Sequence, residues 1–385
     1  MNKGIARDEN LFIMQNERGK KVHILFDART LDDHFPGIGR YTFHLLAALH
    51  HRKDVTLTLL INPRARNSRF PPPQQAFPRA RHVLVPYSPF DWRVQLIVLW
   101  ATRNLTANLY HSPYYLMAYT LTLPTVVTFH DVIPSLFPAY FSPPKRLLIR
   151  LLKTLTIKKA KALLADSQAT AEDIAHFYKV PRHRLTVAPL AADPQFSPPS
   201  PTALTAFQTH YGLPPRYMLY VGSDKPHKNL PFLLDLWKIL AQRFPSPPTL
   251  VLAGPIQRSI NNQTPYIRKL GFIPEKELPL LYGGAVALLF PSLYEGFGLP
   301  ALEAMACGTP VIYHDVPALR EVVASAGWPL SLNDRETWIQ TLIQVWEDAE
   351  YREVYARRAL ARAKMFTWEK TADITVRVYR EVLGQ

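Results

Sequence analysis

Residues 291–312 read PSLYEGFGLPALEAMACGTPVI, and the rest of the chain is best read outward from them. The apolar run Ala285–Phe290 just before them has the length of a buried strand. Gly296 and Gly298 then make a turn. Pro300–Ala306 follows with a helix pattern, proline in its first turn and Gly308 just past its end. Val311–Tyr313 reads as the next strand. Strand, glycine turn, helix, strand is the repeating unit of a parallel α/β sheet, whose ligands bind outside the carboxyl ends of the strands. The backbone N–H groups of Gly296, Phe297, Gly298 and Leu299 face outward at the helix start, where the helix dipole favours an anion. Glu295 stands before the turn and Glu303 one turn into the helix. An ionised carboxylate accepts several hydrogen bonds, so each can hold two adjacent hydroxyls. The competing reading is a capping loop with two solvated glutamates.

The same alternation extends both ways. Upstream, Tyr217–Val221 is a strand, Asn229–Arg243 a helix, Thr249–Ala253 a strand and Glu275–Tyr282 a helix. Downstream, three helices close the chain, the last being Trp368–Leu383. The proline-rich segment Ala191–Pro215 reads as a linker from an earlier series of the same kind. In that series Val22–Asp27, Val55–Ile61, Leu109–His111, Thr125–Phe129 and Ala162–Asp166 are strands. Tyr41–His50, Trp92–Arg103, Pro143–Lys161 and Gln168–Tyr178 are helices. Asn62–Arg81 is a long loop bearing Arg64, Arg66, Arg69, Arg79 and Arg81. The expected architecture is therefore α/β with two Rossmann-like domains, residues 1–195 and 196–365, and a closing segment 366–385.

The 385 residues carry a net charge of +15, which draws phosphates: nucleic acid, anionic lipid or phosphorylated small molecules. No zinc-ligand spacing and no RNA-recognition aromatic signature accompanies the charge, so no nucleic-acid partner is expected. A charge-driven nucleic-acid binder would show steep salt dependence without base preference. The lone Cys307 excludes an intrachain disulfide and suits a reducing compartment. The first twenty residues hold no apolar core of signal-peptide length, and no apolar run is long enough to span a bilayer. A cytoplasmic protein is expected, peripheral at most on the inner face of the cell membrane.

Three further strand ends carry chemistry. Val221-Gly222-Ser223-Asp224-Lys225-Pro226-His227-Lys228-Asn229 runs into a helix, and Lys228 there can neutralise a diphosphate; otherwise it is a solvated lysine. The glycine-bearing loop Pro36-Gly37-Ile38-Gly39-Arg40, leading into Tyr41, follows Asp27-Ala28-Arg29. Thr42 stands where a nicotinamide fingerprint needs its third glycine, which disfavours that cofactor. Arg40 either touches phosphate or is a surface arginine. Thr128-Phe129-His130-Asp131 ends another strand, and His130 is either structural or placed over a substrate.

These segments resemble the family-4 retaining glycosyltransferases, which have the GT-B fold. The Glu295–Glu303 spacing matches the family's Glu-x7-Glu signature, and the resemblance covers roughly residues 22–384. Ala165-Asp166-Ser167, Pro189-Leu190 with Asp193 and Phe196, and Phe366-Thr367-Trp368 also fit it. It implies two Rossmann-like domains facing across a cleft, with the last helix crossing back onto the N-terminal domain. It implies that Glu295 contacts the donor sugar and Glu303 the ribose. Ser223, Lys228 and the N–H groups of Gly296, Phe297, Gly298 and Leu299 hold the diphosphate and sugar, with Gly39 approaching from the other domain. His130 lies over the sugar, so the implied catalytic pair is His130 and Glu295, while Arg40 and Asp131 are candidates for phosphate or acceptor contact. His227 stands where the family usually has arginine, with Lys225 close by as a substitute cation.

The implied reaction is a metal-independent, retaining transfer from a nucleotide-sugar, with the leaving diphosphate acting as base and no cofactor. Asp-x-Asp, the usual holder of a metal-bound diphosphate, is absent from the sequence. The glycine and His-Asp segments most resemble bacterial mannosyl- and rhamnosyltransferases, so GDP-mannose is the expected donor and a saccharide or lipid-linked saccharide the acceptor. Lys145, Arg146, Arg150, Lys153, Lys158 and Lys161 make a basic helix that is either a solvated face or a docking surface for anionic membrane. The reading from another class is a catalytically silent GT-B protein that binds a sugar-nucleotide or scaffolds a complex.

Overall fold

The computed structural model describes residues 21–257 and 266–385; the N-terminal segment read above for a leader lies outside the described residues. Two parallel sheets face each other. The first contains β1 (Val22–Asp27), β2 (Val55–Ile61), β3 (Arg81–Leu84), β4 (Leu109–Ser112), β5 (Thr125–Phe129), β6 (Ala162–Ala165) and β7 (Leu185–Val187) in the order β3-β2-β1-β4-β5-β6-β7. The second contains β8 (Met218–Val221), β9 (Leu250–Ala253), β10 (Ile267–Gly271), β11 (Ala287–Phe290), β12 (Val311–His314) and β13 (Gly327–Leu330) in the order β10-β9-β8-β11-β12-β13. Central strands β4, β5, β9 and β11 are buried at every residue, as parallel strands covered on both faces must be.

Around the first sheet lie α1 (Pro36–His50), α2 (Val94–Thr102), α3 (Pro143–Lys159) and α4 (Gln168–Tyr178). The second carries α5 (Pro201–Tyr211), α6 (Leu230–Arg243), α7 (Leu278–Gly283), α8 (Leu299–Ala306), α9 (Pro317–Val323), α10 (Arg335–Glu347) and α11 (Ala349–Ala363). The last helix, α12 (Trp368–Leu383), leaves the second sheet and packs on α1. Thr367 caps it, its hydroxyl accepting from Lys370 N. Trp368, Ala372, Val376 and Tyr379 form its buried stripe. Arg380 reaches Asp54 at 2.7 Å, and Thr371 donates to the carbonyl of Pro189. This is the two-domain, crossing-helix architecture that the resemblance implied.

Five readings need correction. Gly37–Arg40 is the first turn of α1 and not a loop: Pro36 starts the helix and Gly39 N donates to Phe35 O at 2.7 Å. A Cβ on Gly39 would come within 3.2 Å of Thr30 O, so glycine there lets helix and preceding chain touch. The linker Ala191–Pro215 contains α5, started by Pro201 and capped by Ser200. The loop Asn62–Arg81 holds a helical turn, Pro73–Ala76, and ends on the edge strand β3. Lys153, grouped above with the outward cations of α3, is buried: it donates to Asp131 O at 3.2 Å and lies over the Tyr115 ring. Lys161 lies past the end of that helix.

The domains are joined by more than the linker. Glu321 of α9 accepts from Gln168 N and Ala169 N at 2.8 and 2.7 Å, placing a carboxylate at the N-terminus of α4 across the interface. Gly296 O accepts from Ser167 Oγ and Thr170 Oγ1.

Candidate active site

The site is the cleft between the carboxyl ends of the two sheets. On the C-terminal side, the loop after β8 and the loop after β11 are stitched together. Leu293 N donates to His227 O at 2.7 Å, and Asn229 Nδ2 reaches Pro291 O. This brings Lys228 Nζ to Glu295, 2.7 and 3.0 Å from its two carboxylate oxygens. Residues read from separate motifs thus form one ion pair. Ser223 lies on the first of these loops, its carbonyl accepting from Tyr220 OH.

Beyond Glu295 the chain turns through Gly296 and Gly298, the latter at φ +105 directly before α8. Gly296 is pressed against the other domain so closely that a Cβ would lie 1.8 Å from His130 O. The Phe297 side chain points into the core, edge-on to Phe366, so only its backbone can serve a ligand. Leu299 opens the helix. Glu303, one turn on, is buried: Tyr282 OH donates to one oxygen at 2.9 Å and Arg40 to the other at 2.9 Å. Arg40 also holds both oxygens of Glu275 at 2.7 Å. Arg40 is therefore an inter-domain clasp, tying α1 to the proposed ribose carboxylate. Burial raises the Glu303 pKa, while Arg40 and Tyr282 pull it down.

On the N-terminal side, His130 is fixed at both ring nitrogens. Nδ1 is 2.7 Å from Asp166 Oδ2 and Nε2 is 2.9 Å from Pro113 O. Both partners can accept, an arrangement that favours a ring protonated at both nitrogens. Burial alone would lower the His130 pKa, but Asp166 and the Pro113 carbonyl outweigh it and raise it. The carboxylate orienting His130 is thus Asp166; Asp131 instead caps the turn after it, accepting from Ile133 N at 3.0 Å. Below His130, Tyr41 packs edge-on at 4.8 Å and bonds Thr128, which bonds His111, which meets Tyr379 of α12. Burial and the neighbouring His130 charge push His111 down to about 3, leaving it neutral.

A cavity of about 800 Å³ opens beside His130 and Asp131. Its walls include Phe90, Tyr114 and Tyr140 together with Lys225 and His227. His227 is buried, and burial, with Lys228 next to it, lowers its pKa to about 4. It therefore brings no positive charge at neutral pH, whereas Lys225 is exposed on the same wall. Among the described residues no group of three or more His, Cys, Asp or Glu side chains is gathered to hold a metal ion.

Residues 36–196 match the family Glycosyltransferase Family 4, and residues 207–362 match Glycosyl transferases group 1. The O-antigen chain mannosyltransferase B of Escherichia coli is 30% identical over 387 residues, covering 93% of this chain and 100% of that protein. The chain belongs to glycosyltransferase family 4. Its fold is also that of solved relatives. Sucrose-phosphate synthase from Thermosynechococcus elongatus superposes with TM-score 0.75 at 18% identity, over 94% of this chain and 99% of that one. Anabaena HepE, in complex with UDP and glucose, superposes with TM-score 0.70 at 19% identity, over 92% and 98%.

Sequence reasoning about this family-4 glycosyltransferase missed Asp166 as the partner of His130, although its Ala-Asp-Ser step was noted. It also missed Tyr282 and Glu275, which carry no local signal because they act only through Glu303 and Arg40. Pro113 is a carbonyl contribution that no side-chain pattern encodes.

Proposed function

We propose that this glycosyltransferase moves mannose from GDP-mannose, with retention and without a metal, to a saccharide or lipid-linked saccharide in surface polysaccharide assembly at the inner face of the cell membrane. The name of the Escherichia coli relative supports the sugar and the setting. The observation that carries the chemistry is the convergence of Lys228, Glu295 and His130 on one seam, where Gly296 abuts the His130 carbonyl.

In this reading Glu295 takes the hydroxyls of the donor sugar. Lys228 and the N–H groups of Gly296 to Leu299 take the diphosphate, with the α8 dipole behind them. The bond from the anomeric carbon to the diphosphate breaks. The acceptor hydroxyl oxygen bonds that carbon on the same face, and its proton passes to the departing diphosphate. His130 exchanges the Pro113 carbonyl for a sugar hydroxyl. The ribose hydroxyls displace Arg40 from Glu303, freeing the guanidinium for phosphate. The aromatic-walled cavity receives the acceptor, with Asp131 on its rim.

Thermal unfolding with GDP, UDP, dTDP and their sugars tests the donor, for wild type and Glu303→Ala. Ligand at about 100 times its dissociation constant adds roughly 2.7 kcal/mol, a shift of a few degrees. A shift with guanosine nucleotides that weakens in Glu303→Ala is expected. A shift with UDP or dTDP alone replaces the donor, and none with any nucleotide favours the silent, scaffolding alternative. EDTA is expected to leave transfer intact; abolition restored by Mg²⁺ sinks the metal-independent part.

A further inference from the structure

Helix α3 has two unlike sides. Lys145, Ile149 and Lys153, spaced every four residues, line the cavity beside His130. Leu148, Leu151 and Leu155, at i, i+3 and i+7, lie on the opposite side with Leu147, and all four are exposed. Helix α2 repeats the pattern. Val94, Val98 and Thr102 are buried, whereas Leu96, Leu99 and Trp100 are exposed, with Trp92 just ahead of the helix. Eight of the fifteen exposed large apolar side chains among the described residues sit on these two neighbouring segments, between 44% and 74% exposed.

The two helices cover the same face of the first sheet, over a core that includes Leu25, Val127 and Leu163. They are bridged by the chain between them. Gln95 of α2 donates to Met117 O and accepts from Tyr119 N, at 2.9 and 2.7 Å, and Tyr119 OH bonds Thr156 of α3 at 3.0 Å. The apolar surface is thus held in one rigid unit. Surfaces of this kind on a folded protein mark an interaction site.

The charge around it selects the occupant. Helix α3 holds no acidic residue and carries Lys145, Arg146, Arg150, Lys158 and Lys159. Arg93, paired with Asp91, and Arg103 flank α2. Leucines bordered by cations, with tryptophans among them, match the boundary between acyl chains and anionic headgroups. We propose that the outer face of α2 and α3 seats this protein in the headgroup layer of an anionic bilayer, by apolar insertion as well as by charge. The seat deepens the membrane setting proposed above and rests on it for one consequence. Because α3 also lines the cavity, an acceptor anchored in the same bilayer reaches the cavity mouth along that helix.

The test is co-sedimentation of the full chain with phosphatidylglycerol–phosphatidylcholine vesicles, in low and high salt. Wild type is expected to sediment, and to keep a substantial bound fraction in high salt, where charge alone is screened. Leu148→Ser/Leu151→Ser is expected to lower the bound fraction at least five-fold in high salt, while Phe272→Ser, an exposed apolar residue of the other domain, changes nothing. Quenching by bromine-labelled acyl chains is expected for wild type and lost in Trp92→Phe/Trp100→Phe. Unchanged binding of the leucine variant overturns the proposal. So does a leucine variant that turns a dimer into a monomer by light scattering, which would make the face a self-association surface. The nucleotide-induced thermal shift, read on the same samples, reports folding and separates the readings: a lost shift with intact vesicle binding fails the donor assignment alone.

Discussion

On the C-terminal wall of the cleft, Lys228 and Glu295 meet from two adjacent loops of one sheet, and the motif that supplies Glu295 also supplies Glu303. On the N-terminal wall, His130 depends on a carboxylate from the next strand's end, a carbonyl from the previous one and, through Tyr41, Thr128 and His111, on Tyr379. That tyrosine lies 268 residues beyond His111 in the chain. One wall is built from two short, motif-bearing loops that local contacts hold together. The other is built by tertiary assembly and carries its own buried charge. Short-range motifs therefore report the first wall well and the second poorly.

The largest test of this division strikes the seam between the walls. Gly296→Ala places a methyl where the His130 carbonyl stands, 1.8 Å away, so the walls must part. Transfer is expected to fall about 10²-fold, since displacements near 1 Å carry such penalties. A kcat within a few-fold of wild type would show that the seam is not part of the working geometry.

The next test isolates the buried charge. Asp166→Asn is expected to cost about 2 kcal/mol of stability near pH 6, the value of a hydrogen bond to an ionised group. The folded His130 pKa is raised above its ordinary value near 6.5, so its stabilisation is complete below that value and is lost as pH rises through the folded one. The gap between wild type and variant should therefore narrow as pH rises from about 6.5 through the folded His130 pKa, in denaturant titrations. A constant gap would mean His130 is neutral throughout.

The smallest effect belongs to the clasp that joins the walls. Glu275→Gln weakens the hold on Arg40 without touching Glu303, and Arg40 is the group that the proposed ribose contact displaces. Nucleotide affinity, by calorimetry, is expected to rise about two- to five-fold, under 1 kcal/mol for a partly exposed pair. Unchanged or weaker binding would mean Arg40 does not compete with the ribose.

The fold was readable where burial leaves long apolar runs. Strands such as Thr125–Phe129 and Ala285–Phe290, and the restart at Tyr217, announce two parallel sheets before any coordinates are seen. Edge strands β3 and β10, with exposed and charged residues, leave no such trace, and neither was read. Proline and glycine misled in both directions. By pattern they mark loops at Pro36–Gly39 and Pro201, whereas there they start a helix or permit a close approach. Lys153 was misjudged by its charge alone. Its spacing from Ile149 puts it on the inward side of α3, where only a carbonyl and aromatic faces receive it.

The backbone passes between the domains twice, once through the segment around Phe196, whose ring packs against Tyr282, and once just before Trp368, which stacks on His44. A body tethered at one point can swivel in any direction; tethered at two, it turns only about the line that joins them. Any swing that opens the cleft then follows a single rotational coordinate, like a door on a pair of hinges.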